Sequence, residues 1–171
     1  YQTFKMGDVN ISFRANYSYR YTYNDVQVIN GYIKVNGENV SQASGLRQST
    51  SYTLVPTPPD STQGIDYWQV EGYGSVSGNT FTVGDGNAII TGHYAPKRTL
   101  TVTNIDNGGG TTTYTAVQGH NWTRLSTTSA TGNYKFNGWY ENGTRISTST
   151  SLTLTAGAVD REIEAKYDYY P

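Results

Sequence analysis

The chain is 171 residues long, with 12 Lys and Arg against 13 Asp and Glu and no Cys, which excludes a large multidomain enzyme, thiolate or disulfide chemistry, and a basic surface for nucleic acid. Apolar residues make up 35% and charged residues 15%, too balanced for disorder and too lean for one large core, so the chain is expected to fold as small units. Sixteen Tyr and 19 Gly amid abundant Thr, Ser and Asn read as a β-rich, extracellular composition, and no apolar run approaches the roughly 18 to 20 residues that insert into a membrane.

Taken in chain order, the first element is the strand-like stretch from Thr3 to Tyr17. It starts a pattern that occurs three times without gaps. Thr3-Phe4-Lys5-Met6-Gly7-Asp8 runs to Tyr17, Thr80-Phe81-Thr82-Val83-Gly84-Asp85 to Tyr94, and Thr153-Leu154-Thr155-Ala156-Gly157-Ala158 to Tyr167. In each copy the large apolar residue precedes the Tyr by 13 positions. Tyr52 and Trp122 stand 70 apart, and Trp68 and Trp139 stand 71 apart. Self-similarity at such a period is the signature of a repeat architecture. It divides the chain into final strands of an incomplete repeat at 1–19, a first complete repeat at 20–95 and a second at 96–171. The chain begins at Tyr1 without a Met or a signal peptide, and with its partial first repeat it reads as a segment of a longer protein.

Next come Tyr17, Tyr19, Tyr21 and Tyr23, whose alternation predicts one tyrosine-lined strand face. Val26 and Val28, then Tyr32, Ile33 and Val35, flank Asn30-Gly31 and predict a hairpin, as do Leu100, Val102 and Ile105 before Asn107-Gly108. Asn36-Gly37, Asn137-Gly138 and Asn142-Gly143 read as further tight turns. No window has sustained helical spacing, so at most one short helix per repeat is expected, near Val40 to Leu46 or Val117 to Leu125. Pro56, Pro58 and Pro59 mark a loop before the Trp68 strand. Pro96, in Ala95-Pro96-Lys97-Arg98, is expected to end a strand at the joint between repeats. Trp68 and Trp139 are the expected core anchors.

Phe136-Asn137-Gly138-Trp139-Tyr140, followed by Asn142-Gly143 and closing on Ala165-Lys166-Tyr167, resembles the internalin B-repeat family. The first complete repeat, with Tyr52-Thr53-Leu54, Pro56, Pro58-Pro59, Trp68 and Phe81 to Tyr94, resembles a divergent branch of it. Two departures are Tyr67, where the pattern has Gly, and the Thr-rich stretch that follows Asp106-Asn107-Gly108-Gly109-Gly110. The resemblance implies an all-β chain of two tandem small β-grasp-like modules, strung along a bacterial surface protein as spacer or adhesive stalk.

Catalytic chemistry finds thin support. Asp66 and Glu71 flank Trp68 without forming an acid-base pair, and His93 and His120 have no neighbouring ligand at metal spacing. Asp85-Gly86-Asn87 and Asp106-Asn107-Gly108 match turn chemistry better than a calcium loop. The expectation is therefore no catalytic, metal or cofactor site. Neighbouring repeats are the expected partners, and no nucleic acid or membrane insertion is expected. A glycan or host-surface protein is the other partner considered, on Tyr17, Tyr19, Tyr21, Tyr23, Tyr67 and Tyr73, whose apolar faces and polar tips suit either. The alternative role is a recognition module of an adhesin or phage tail protein, and a third is an accessory domain of a secreted glycan-acting enzyme.

Overall fold

The computed structural model describes residues 2–7, 9–18 and 20–171. Every regular element among them is a strand. β1 (Gln2–Met6) and β2 (Val9–Phe13) come first. They pair with each other, antiparallel, from Gln2↔Phe13 to Met6↔Val9. The first repeat then supplies β3 (Tyr23–Ile29), β4 (Gly31–Val35), β5 (Glu38–Val40), β6 (Gln42–Arg47), β7 (Ser51–Pro56), β8 (Gln63–Gly72), β9 (Ser75–Ser77) and β10 (Thr80–Thr82). β11 (Ala88–Thr103) crosses into the second repeat. That repeat continues with β12 (Thr111–Val117), β13 (Leu125–Ser126), β14 (Ala130–Thr131), β15 (Tyr134–Glu141), β16 (Thr144–Ser147), β17 (Ser151–Leu152) and β18 (Arg161–Tyr169).

Each repeat is built on a mixed sheet with a parallel pair at its centre. In the first the order is β6-β3-β11-β8, with β3 and β11 parallel. In the second it is β12-β11-β18-β15, with β11 and β18 parallel. Alternation puts Val26 and Val28, then Ala88 and Ile90, on one face of the first sheet, where they are buried against Ile33, Leu54, Phe81 and Trp68. A second sheet, β5-β4-β7-β10-β9, carries Ile33, Leu54 and Phe81. The second repeat buries Leu100, Val102, Ile163 and Ala165 against Trp122, Leu125, Trp139 and Ala156, and its second layer shrinks to the β13–β17 pair and an Asn121↔Thr155 bridge.

The repeat seen in the sequence extends to individual hydrogen bonds. The Asn24 side chain donates to Gly84 O at 3.0 Å, and Arg98 Nε–H donates to Gly157 O at 3.2 Å. Asn87 Oδ1 accepts the Asp25 N–H, and Asp160 Oδ1 accepts the Thr99 N–H, both at 2.8 Å. Ser49 N–H donates to Val83 O, as Gly119 N–H does to Ala156 O. The closing tyrosines correspond as well. The Tyr94 hydroxyl donates to Asn30 O and accepts from Thr57 N–H, while the Tyr167 hydroxyl donates to Ile105 O and bonds the Thr127 hydroxyl. Recurrence of these polar contacts explains why the spacing of a few aromatics and glycines stays legible in two otherwise different sequences.

Several local expectations are corrected. Asn30-Gly31 is not a hairpin, because β3 pairs with β6 and β11 while β4 pairs with β5 and β7. A hairpin there would put Val26, Val28 and Ile33 in one sheet, whereas the core needs them on facing layers. Asn30 turns the corner at φ 57°, and Gly31 passes so close to Trp68 that a Cβ would lie 2.5 Å from the indole. Asn36-Gly37 and Asn142-Gly143, both left-handed, are true two-residue hairpin turns. Leu100 and Val102 lead into a hairpin as expected, β11 to β12. Asn137-Gly138 is a bulge within β15, where a Cβ on Gly138 would meet Ser147 O at 2.6 Å. Neither stretch expected to be helical is so: Val40 ends β5, Gln42–Arg47 pairs with β3, and the chain after Val117 turns to bring Trp122 N–H onto Leu154 O. Pro96 does not end a strand. It lies inside β11 at the last β8 pair, Pro96↔Gln63, and its carbonyl accepts Gln118 N–H on β12's side at 2.8 Å, so the missing N–H falls where antiparallel partners change.

Candidate functional site

Five of the six tyrosines proposed as a surface, Tyr17, Tyr21, Tyr23, Tyr67 and Tyr73, lie among the described residues. Tyr23 is the first residue of β3, and Tyr17 and Tyr21 precede it outside any strand; Tyr19 lies outside the described residues. Tyr17 and Tyr21 therefore do not form the expected strand face with Tyr23. Tyr17 is 94% exposed, whereas Tyr21 lies under the Arg47 guanidinium, 3.6 Å from the ring centroid. Tyr67 and Tyr73 are both more than half exposed, Tyr67 within β8 and Tyr73 just past its end. Tyr73 packs its ring over Gly86, where a Cβ would lie 2.2 Å from Cδ2.

Tyr67 belongs instead to a polar cluster at the joint between repeats. Its ring stacks on His93, across the β8–β11 ladder, with centroids 4.5 Å apart and planes at 10°. His93 Nε2 lies 2.9 Å from Gln69 Oε1. Asp66, the extra residue of a bulge opposite His93 and Tyr94, reaches across to His120 of the second repeat at 2.9 Å. The bulge recurs at Asn137, which donates to Asp168 Oδ2 at 2.6 Å. Sequence reading missed the Asp66–His120 pair; the signal available was that both bulged residues stand two before the anchoring Trp.

Other contacts close the same joint. Lys97 N–H donates to Thr62 O at 2.8 Å, Lys97 Nζ donates to Ser61 O at 3.3 Å, and Arg98 Nη2 donates to Gln118 Oε1 at 3.1 Å. Gly64 is buried beneath Val117, whose Cγ2 lies 2.7 Å from where a Cβ on Gly64 would be.

The best-formed ion pair is elsewhere, in the second repeat. Glu141 accepts two hydrogen bonds from Arg161, from Nε at 3.0 Å and Nη2 at 2.5 Å. The Arg161 hydrogen bond holds the Glu141 carboxyl below its ordinary value near 4.5, against the opposing effect of burial, and raises Arg161 in turn. A carboxyl whose folded pKa is depressed adds stability that is present above its unfolded value and lost as pH falls through the folded one. Glu141→Gln should therefore cost about 1 kcal/mol at neutral pH. Urea melts between pH 6 and 3 should show a shallower acid loss than the parent, and parallel curves would refute this.

Among the described residues no three His, Cys, Asp or Glu side chains gather as metal ligands, and no helix is long and apolar enough to cross a membrane. Asp106 Oδ1 accepts Gly108 N–H at 2.9 Å and Asn104 Oδ1 accepts Gly109 N–H at 2.8 Å, so these oxygens serve the turn.

No family model matches the sequence, and no curated protein does. Among solved structures, "Streptococcal High Identity Repeats in Tandem (SHIRT) domains 3-4 from cell surface protein" is similar over 88% of this chain and 99% of that one. The identity is 15% and the TM-score 0.27, too low for the match to bear on how this chain folds or acts.

Proposed function

We propose that this chain is a non-enzymatic tandem-repeat segment of an extracellular bacterial surface protein, with modules at 20–95 and 96–171 acting as a stiff spacer or display stalk. The observation that supports it is β11. One 16-residue strand is both the last strand of the first repeat and the first strand of the second. A joint of this kind bends only by breaking backbone ladders on β8 or β12, unlike a flexible linker. The Asp66–His120 pair and the Gly64–Val117 contact brace it further.

The chain has no Cys, so Ser44→Cys with Thr148→Cys gives one clean spin-label pair, one exposed position in each repeat. A single narrow distance distribution is the expected result. A broad one, of the width seen for domains on a flexible tether, would remove the spacer reading.

Recognition of a glycan is the second reading, favoured by the half-exposed Tyr67 ring backed by His93. An aromatic face held rigid by a stacked neighbour loses little entropy on contact with a sugar ring. Retention on a glycan panel that Tyr67→Ser abolishes would support this reading, and absence of retention by the parent chain would end it.

A further inference from the structure

The edges of the two repeats differ in how they are guarded. β6 carries Gly45 at φ 69° and ends in Arg47. β8 is bent by the Asp66 bulge and carries Glu71. β15 is covered by β14 and by β16, which bears Arg145. β5 and β9 are three residues each. Short length, charge, bulges and coverage are the usual protections against pairing with another chain.

Among the described residues β12 has none of them from Thr111 to Thr115, its Val117 end alone meeting Gly64 of β8. It is seven residues long, Thr-Thr-Thr-Tyr-Thr-Ala-Val, with no charge and no Pro, and its ladder with β11 runs without a register shift from Thr103↔Thr111 to Lys97↔Val117. Gln118 N–H donates to Pro96 O at one end and Asn104 N–H to Gly110 O at the other. Antiparallel pairs alternate, so even-numbered residues of β12 bond β11 and the N–H and C=O groups of Thr111, Thr113 and Thr115 point to the open edge. Among the described residues no other strand pairs there.

We propose that β12 is a self-association edge, taking β12 of a second copy of this chain in antiparallel register. The strand is suited to its own copy. A two-fold axis through the central Tyr114 sets Thr113 opposite Thr115 of the second copy, so each pair exchanges both backbone hydrogen bonds, and no like charges meet. Thr99, Thr101 and Thr103 already stand opposite Thr115, Thr113 and Thr111 within one chain. Dimerisation would continue this threonine face across four strands. The inference rests on the open edge alone and goes beyond the spacer reading.

The test is sedimentation velocity from micromolar to millimolar protein, beside Thr113→Lys/Thr115→Lys. Both side chains are exposed, so the variant should fold and melt as the parent does. The parent should dimerise with rising concentration, the variant should need at least ten times more protein, and the Thr113 and Thr115 amides should exchange more slowly in the dimer. A parent monomeric throughout, a dimer the lysines leave unchanged, or amides that exchange alike at all concentrations would each overturn the proposal. The spin-label distance within one diluted chain is independent of all three, so loss of the spacer reading and loss of this one are distinguishable.

Discussion

Trp139→Ala is expected to unfold the second repeat while the first survives. Trp139 is fully buried, its indole N–H donates to Ser149 O at 2.8 Å, and its ring meets the edge of Phe136 with centroids 5.5 Å apart. Truncation leaves a cavity among Leu100, Val102 and Ala165 and deprives a carbonyl of its donor. Large-to-small changes of this kind cost about 3 to 5 kcal/mol. A unit of this size has little reserve, because small domains bury a modest fraction of their surface and whole domains are stable by only about 5 to 15 kcal/mol. The first repeat keeps Val26, Val28, Ala88, Ile90 and Trp68, and the Ala88 end of β11 keeps both its partners. The predicted melt is therefore biphasic or half-amplitude by circular dichroism, with the Trp68 signal preserved. A single transition within a few degrees of the parent would show that Trp139 does not hold the repeat together.

The repeat was legible because its markers are residues that hold corresponding places in the two units. Trp68 and Trp139 fill the two cores, and Tyr94 and Tyr167 tie the end of each first strand to the loop that crosses it. Hydrophobic alternation likewise foretold β3 and the Leu100–Val102 part of β11. What local pattern could not foretell is which strand pairs with which. Asn30-Gly31 has hairpin chemistry, yet Ile33 is needed in the opposite layer, and packing across layers outweighs a two-residue turn preference. Of the alternating tyrosines, Tyr17 and Tyr21 lie outside any strand and Tyr23 opens β3, so alternation alone does not make a strand. Pro96 misleads for the converse reason: it sits at the position of β11 where one antiparallel partner gives way to the next. The joint cluster was illegible because Asp66 and His120 are 54 residues apart and a bulge, invisible to period-2 counting, aims the carboxylate.

Gly64→Lys should uncouple the repeats without unfolding either. The two repeats contain their own control for this position: Gly64 pairs with Ala95 as Lys135 pairs with Asp168, and the backbone bonds beside them, Lys97 N–H to Thr62 O and Tyr170 N–H to Asn133 O, match at 2.8 and 2.7 Å. At the end of the second repeat the Lys135 stem has room, and its ammonium sits 4.5 Å from the Tyr170 ring centroid. At the joint, a Cβ on residue 64 would lie 2.7 Å from Val117 Cγ2, and the stem of Lys97 lies just beyond at 3.5 Å. Overpacking a contact of this kind costs about 1 to 3 kcal/mol. The interface offers an easier way to relieve the clash than either core, since separating β12's end from β8's start leaves both buried clusters intact. The expected result is two folded repeats, a spin-label distance between positions 44 and 148 that broadens, and loss of the Asp66–His120 contact. Lys135→Gly should leave the distance unchanged. A Gly64→Lys chain with the parent's narrow distribution would mean that the shared strand alone sets the stiffness, and that the side chains packed around it do not.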